Sequence, residues 1–236
     1  MIILENFCDR RYLVLNLDNI TLICVDGVDP TLGVKALRYS MRKINFAKSI
    51  IISHVKPENL SDDIEFIEIE KLTHETYSPF FLQNLSNYFD TEYCLTIHDD
   101  GFVINPHLWS DEFFNYDYIG APWKPLYGNY RVGNGGFSLR SKKLVDLCKN
   151  INLLPKEHED GAICIRNRPT LEHFGCKFAP VEIAMKFSLE SRIPECDFNL
   201  DNSFGFHGRG DPKNTHDHDG FYHQFHDRLK LLESVE

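Results

Sequence analysis

Four stretches carry residue types able to do chemistry. The first is His98-Asp99-Asp100-Gly101, which follows directly on the apolar run Tyr93 to Ile97. Ionised Asp is costly to bury without a partner, and the carboxyl edge of a parallel sheet is where α/β proteins place ligands. Oxygen ligands at such a strand tip suit Mg²⁺ or Mn²⁺, ions that keep waters and bridge substrate phosphates. Strand alternation, carried through the tip, sets His98 and Asp100 on one side and Asp99 on the other. On these residues alone, a solvated turn in which Asp99 or Asp100 caps the next segment explains the pair equally well.

The second stretch is Gly133-Asn134-Gly135-Gly136, leading into Phe137-Ser138-Leu139-Arg140. Glycines here permit close backbone approach to a ligand, with free N–H groups for phosphate or sugar oxygens. A tight connection between strands needs similar residues and is the more economical account in isolation. The third, His158-Glu159-Asp160, precedes a helical pattern. Carboxylates at a helix start are favoured by the dipole, by ~0.3–1 kcal/mol, and the alternative makes one of them a general base facing a cation. The fourth is Phe204-Gly205-Phe206-His207-Gly208, an apolar strand-like segment that could return a nitrogen ligand. A lone His in that position is more often an ordinary polar residue. The tail residues His216, His218, His223 and His226, with Asp217, Asp219 and Asp227, match no zinc spacing and read as a hydrated segment. Trp123, after Gly120-Ala121-Pro122, could stack on a sugar ring; a buried anchor in an irregular loop accounts for it as well.

Positioning these residues requires a sheet. Leu13–Leu15, Thr21–Val25, Ser49–Ser53, Ile64–Ile69 and Tyr93–Ile97 read as strands. Asp29-Pro30 has the form of a cap and first helical residue, opening a helix to about Ile44. Phe80, Phe81, Leu85 and Phe89 give helical spacing over Glu75–Phe89. Further helices are expected near Pro106–Phe113, over Ser141 to about Asn150, over Glu159 to about His173 and over Phe225–Leu232. Strands alternating with helices predict an α/β fold with a mostly parallel, Rossmann-like central sheet flanked by helices. One domain is expected over residues 1–210, followed by a polar His-rich tail over 211–236 that ends in the helix.

Composition narrows the function classes. The chain has 236 residues, 42 % hydrophobic and 13 % aromatic, enough for a substantial core and unlike a disordered chain. A net charge of −10 leaves no basic stripe for a nucleic-acid backbone. It does not disfavour a nucleotide, because one cation screens one diphosphate locally. Seven scattered cysteines without CxxC suit reduced thiols and a cytoplasmic location. Met1–Leu4 before Glu5 is too short for a signal peptide or a membrane span, so any membrane contact is expected to be peripheral.

In one order along the chain come an acidic strand tip, a glycine turn, a Glu-Asp pair at a helix start and a late His. This order resembles the GT-A nucleotide-sugar glycosyltransferases, with their DxD-like motif, glycine loop, xED motif and C-terminal histidine. More narrowly, Tyr116-Asp117-Tyr118-Ile119-Gly120-Ala121-Pro122-Trp123, Gly133–Arg140, Glu159-Asp160, Phe187-Ser188-Leu189-Glu190 and Phe204–Gly208 look like a small GT-A-like family of bacteria and large DNA viruses. The resemblance covers roughly residues 20–208. It implies that Asp100 holds a divalent cation, Mn²⁺ or Mg²⁺, on the sugar-nucleotide diphosphate, with His207 as a further metal or phosphate contact. It implies that Val25 and Asp26 line the base and ribose pocket. Gly135 and Gly136 admit donor sugar or acceptor, Asp160 deprotonates the acceptor hydroxyl, and Asp99 shares the metal. His98 departs from the Gln, or Asp in the wider fold, that usually stands there.

The reading that results is a metal-dependent glycosyltransferase using a nucleoside-diphosphate sugar, a UDP-sugar, on a glycan acceptor. Two alternatives stand beside it: a catalytically inactive sugar- or nucleotide-binding relative, and a sugar nucleotidyltransferase. The acidic Val25-Asp26-Gly27-Val28-Asp29 loop counts against the last, which favours a basic glycine-rich loop after its first strand.

Overall fold

The computed structural model describes residues 14–125, 128–210 and 221–235. β1 (Leu15–Asp26) runs parallel to β2 (Ile44–Ser53) on one side and to β4 (Tyr93–Ile97) on the other, while β3 (Glu65–Glu68) adds in parallel beyond β2. Residues 20–25 and 49–53 are buried without a break, as expected of parallel strands covered on both faces. β6 (Ser138–Ser141) pairs antiparallel with β4, and β5 (Tyr118–Ile119) antiparallel with β6. The six-stranded order is β3-β2-β1-β4-β6-β5. From β1 the chain moves outward to β3, then returns to the other side of β1 at β4. Strand order reverses there, so the crevice beyond the carboxyl ends of β1 and β4 is where such a sheet binds ligands. Cys24 pairs with Ile97, which brings Val25-Asp26 alongside His98-Asp99.

Several boundaries differ from expectation for physical reasons. Leu15 does not belong to a separate leading strand; it starts β1, whose register slips between Leu17 and Thr21. Leu13 lies outside the described residues. Helix α1 (Pro30–Met41) opens as expected, the Asp29 side chain accepting from Thr31 N at 3.0 Å, but stops before Ile44 because Ile44–Phe46 pairs with Leu15–Leu17. Helix α2 (His74–Gln83) gives way to a 3-10 turn over Leu85–Tyr88, since Phe89 must be extended to enter β4. The expected Pro106–Phe113 helix is two 3-10 turns, Pro106–Leu108 and Asp111–Asn115. Helix α3 (Lys142–Cys148) is capped by Ser141.

The single helix expected over Glu159–His173 is three pieces: α4 (Glu159–Gly161), a π-helical turn Ala162–Arg166, and α5 (Arg168–His173). Pro169 brings no N–H, and Asn167 turns both its backbone N and Nδ2 onto Ala162 O at 2.9 Å, closing one element before the next begins. Helix α6 (Val181–Phe187) and strand β7 (Ser188–Leu189) were not anticipated. β7 pairs in parallel with β8 (Gly205–Phe206). The chain closes with α7 (Phe221–Leu229) and a 3-10 turn to Ser234.

Phe102, Phe113, Phe137, Phe187, Phe204 and Phe206 are fully buried in one cluster. Ring contacts with centroids 4.9–5.2 Å apart join Phe102 to Phe206 and Phe113 to Phe187 edge to face, and Phe137 to Phe187 at a tilt. Phe102 follows Gly101, Phe137 follows Gly136 and Phe206 precedes His207, so one aromatic layer carries three polar segments. Replacing Phe206 by Ala should cost about 3–5 kcal/mol, read as a lowered urea midpoint with an unchanged slope.

Candidate active site

Backbone geometry sets the strand tip first. His98 N donates to Gly101 O at 2.9 Å and Gly101 N to His98 O at 3.1 Å, closing a tight turn with Asp99 and Asp100 at its corner. Pairing with β1 ends at Ile97, so simple strand alternation does not govern the tip. Gly208 N donates to Asp100 O at 2.8 Å, which stitches the later segment onto the turn. In the β7–β8 pair, Leu189 sits opposite Phe206, and His207 N donates to Leu189 O at 3.1 Å. The register thereby sets Glu190 beside His207.

The side chains converge accordingly. His98, Asp100 and His207 each offer a ligand atom, all within 4.8 Å of one another. His207 Nε2 lies 3.5 Å from Asp100 Oδ1. His207 Nδ1 lies 3.2 Å from Glu190 Oε1 and 3.0 Å from Asn134 Nδ2. The Asn134 amide is oriented by its own Oδ1, which accepts from Gly136 N at 2.9 Å. Nδ1 thus faces one donor and one acceptor and can satisfy only one at a time. With its proton on Nδ1, toward Glu190, the ring presents the Nε2 lone pair to the Asp100 side. That is the tautomer a metal-binding histidine needs.

Glycine is required here by space. A Cβ on Gly136 would lie 2.1 Å from His207 Nε2, and one on Gly135 would lie 1.9 Å from Glu159 Oε1. Asn134 holds the loop in the left-handed region at φ 71°.

Beneath this loop Arg140 is almost wholly buried. Its Nη2 lies 3.3 Å from Glu159 Oε1 and its Nε donates to Ser138 Oγ at 2.9 Å. Ser78 Oγ, from α2, accepts from Glu159 N at 3.3 Å. Of the Glu159-Asp160 pair, Glu159 is therefore the structural member. Asp160 is half-buried, its Oδ1 accepting from Gly161 N at 2.7 Å. Burial, and then the Glu159 charge, raise the Asp160 pKa above the usual carboxylate range. Burial works to lower the His207 pKa, but the Glu190 hydrogen bond and the Asp100, Glu190 and Asp160 charges outweigh it, and the net direction is up. Burial and neighbouring His207 push His98 down to about 4. Tyr77 Oη holds its Nε2 at 2.5 Å.

A cavity of about 440 Å³ opens beside the tip, lined by Val25, Asp26, Tyr77, His98, Asp99 and His158 among others. Asp26 lines it, yet its Oδ1 accepts from Val28 N and Asp29 N, tying that oxygen to the turn before α1. Burial raises the Asp26 pKa, against those two bonds. Asp99 and Asp100 both meet Arg209, whose Nε is 3.4 Å from Asp100 Oδ2 and whose Nη2 pairs with Asp99 Oδ2. Trp123 lies outside this cavity. Its indole covers Gly133, where a Cβ would sit 1.9 Å from Cη2. A larger cavity, about 800 Å³, lies at the opposite end of the sheet against Leu15, Arg42 and Trp109. It contains none of the convergent set, so the chemistry is assigned to the carboxyl end.

Tyr77 and Arg209 were not singled out from sequence, and Asn134 and Glu190 were named there only inside longer segments, with no role of their own. Phe187–Glu190 and Phe204–His207 did carry a signal, two matched segments each ending in a polar residue. His216, His218, Asp217 and Asp219 lie outside the described residues; His223, His226 and Asp227 fall within α7. Six cysteines among the described residues are free thiols, five of them buried. No helix among the described residues is long and apolar enough to cross a membrane.

Removing one member of a buried ion pair leaves the other charge uncompensated, at about 3–5 kcal/mol. Glu159→Ala should lose that much in urea unfolding, whereas the double variant Arg140→Met/Glu159→Leu should lose less.

The chain shares its architecture with the galactosyltransferase LgtC. An active-site mutant of LgtC, and LgtC in complex with donor and acceptor sugar analogs, each align over 94 % of this chain and 98 % of theirs, at 14 % identity and TM-score 0.50. The six-stranded sheet flanked by helices is thus a GT-A fold. The mannosyltransferase PcManGT of Pyrobaculum calidifontis, in complex with GDP-Man and Mn²⁺, aligns over 69 % of this chain and 54 % of its own at 8 % identity; its TM-score of 0.44 carries no argument. No curated protein matches the chain. A family model described as Protein of unknown function (DUF5672) matches residues 54–207, and the chain belongs to that family.

Proposed function

We propose that this protein is a metal-dependent glycosyltransferase that moves a sugar from a nucleoside-diphosphate sugar, a UDP-sugar, to a hydroxyl of a glycan. One observation carries the reading: Asp100 and His207, remote in the chain, meet at 3.5 Å beside a cavity lined by Val25 and Asp26. A GT-A sheet with a galactosyltransferase's architecture supports it. A divalent cation, Mn²⁺ or Mg²⁺, fits the donor set, and when bound to Asp100 and His207 it supplies Lewis-acid stabilisation of the departing diphosphate.

The chain's own residues do the rest. Val25 and the Asp26 backbone wall the base and ribose pocket, and His98 and Asp99 face the donor from the strand tip. Gly135 and Gly136 let the loop backbone approach the sugars. Asp160 accepts the acceptor's hydroxyl proton as its oxygen bonds to the anomeric carbon and the bond to the diphosphate breaks, leaving the electron pair on phosphate. Glycosyl transfer passes through an oxocarbenium-like state, and a positioned base contributes about 10²–10⁴-fold. The raised proton affinity of Asp160 suits that role, while the Arg140–Glu159 pair beneath fixes its backbone. Trp123 anchors the Gly133 loop. The free thiols suit the cytoplasm, where thiols stay reduced.

A panel of sugar nucleotides scored for Mn²⁺-dependent UDP release tests the activity, and no release from any donor in the presence of glycan acceptors refutes it. Asp160→Asn should lower turnover by about 10²–10⁴-fold while leaving Mn²⁺-dependent UDP binding intact; equal loss of both would remove Asp160 from the base role. Because a base must be deprotonated, a raised pKa moves the acid limb of kcat/KM upward. That limb should lie above the ~3.9 of a free aspartate and vanish in Asp160→Asn.

A further inference from the structure

The geometry points to His98 as a third inner ligand of the cation, which makes the site a two-imidazole, one-carboxylate centre selective for transition metals over Mg²⁺. This rests on the reading of Asp100 and His207 as ligands and adds the class of ion they take. Three facts on the structure support it. Ligand atoms of His98, Asp100 and His207 fall within 4.8 Å of one another, close enough for one ion to reach all three. The two rings meet edge to face, their centroids 5.5 Å apart. One nitrogen of each ring has a polar partner, His98 Nε2 with Tyr77 Oη at 2.5 Å and His207 Nδ1 with Glu190 Oε1 at 3.2 Å, which leaves His98 Nδ1 and His207 Nε2 for the cation. Such outer partners orient metal-binding imidazoles and set which nitrogen is free.

Donor chemistry then decides the ion. Carboxylate and water suit Mg²⁺ and Ca²⁺, whereas imidazole suits zinc, iron, cobalt and nickel, and affinity for nitrogen sites rises along the first-row series. Arg209 meets one oxygen of each carboxylate, Asp99 Oδ2 and Asp100 Oδ2, while Asp100 Oδ1 lies 3.5 Å from His207 Nε2 and is the oxygen turned toward the imidazole. Three protein ligands leave half of an octahedral sphere for phosphate oxygens and water.

Metal-stripped full-length protein is titrated calorimetrically with Co²⁺, Mn²⁺ and Mg²⁺, with and without UDP, and the Co²⁺ complex is read by its visible absorption. Co²⁺ should bind at least about 100-fold tighter than Mg²⁺, as two nitrogen ligands require. His98→Gln should weaken Co²⁺ by about 10–100-fold and Tyr77→Phe by about 10-fold, with Mg²⁺ affinity little changed. His98→Asp, which returns an oxygen ligand, should shift selectivity toward Mg²⁺; near-UV circular dichroism checks that each variant is folded. If folded His98→Gln keeps wild-type Co²⁺ affinity and absorption while Asp100→Asn abolishes both, His98 lies outside the coordination sphere and only this inference falls. If wild-type protein binds no cation under either condition, the metal-dependent reading falls with it.

Discussion

The arrangement rests on the buried contact of Arg140 with Glu159. Arg140 arrives on β6, the antiparallel strand beside the acidic tip, and Glu159 opens α4 from a distant part of the chain. Burying both charges is tolerable because each is answered: Arg140 by Ser138 Oγ and Glu159, the latter's backbone by Ser78 of α2. Phe81 and Tyr118 pack their rings 5.2 and 5.4 Å from the guanidinium. Burial alone would weaken that cation's hold on its proton, but the surrounding acidic groups keep it charged. Sheet, helix α2 and α4 are thereby tied at one point, directly under the glycine loop.

Everything above that point is a matter of spacing. Gly135 exists as glycine because Glu159 occupies the volume of a side chain, and Gly136 because the His207 ring does. The loop is a thin sheet of backbone pressed between a buried ion pair below and an imidazole above. Its flexibility as a glycine-rich segment is secondary to its thinness. The buried aromatic cluster that holds Phe102, Phe137 and Phe206 lies behind all three segments, the acidic corner, the loop and the late histidine, and fixes them against one core.

What could be read from sequence followed local signals. The tip was legible because an apolar run that ends abruptly in His98-Asp99-Asp100 is poorly explained by packing alone, and α1 because Asp29-Pro30 is a local cap. The roles of Glu190 and Asn134 were not legible, because both depend on the β7–β8 register and on how the Gly loop lies over it. No window of sequence shows that register. The continuous helix expected over 159–173 failed for the opposite reason. Pro169 stands inside that window, and the folded chain obeys it with a π-helical turn ahead of it. Trp123 shows the same competition: an aromatic in a loop is equally suited to ligand stacking and to covering a glycine, and here it covers Gly133.

Arg209 follows His207 with only Gly208 between them, and its guanidinium sits on Asp99 and Asp100. One short peptide therefore delivers both an imidazole and a guanidinium to the same acidic corner. With Arg209 and His207 against it the acidic pair does not stand bare, which is how a chain of net charge −10 accommodates two adjacent aspartates at a strand tip.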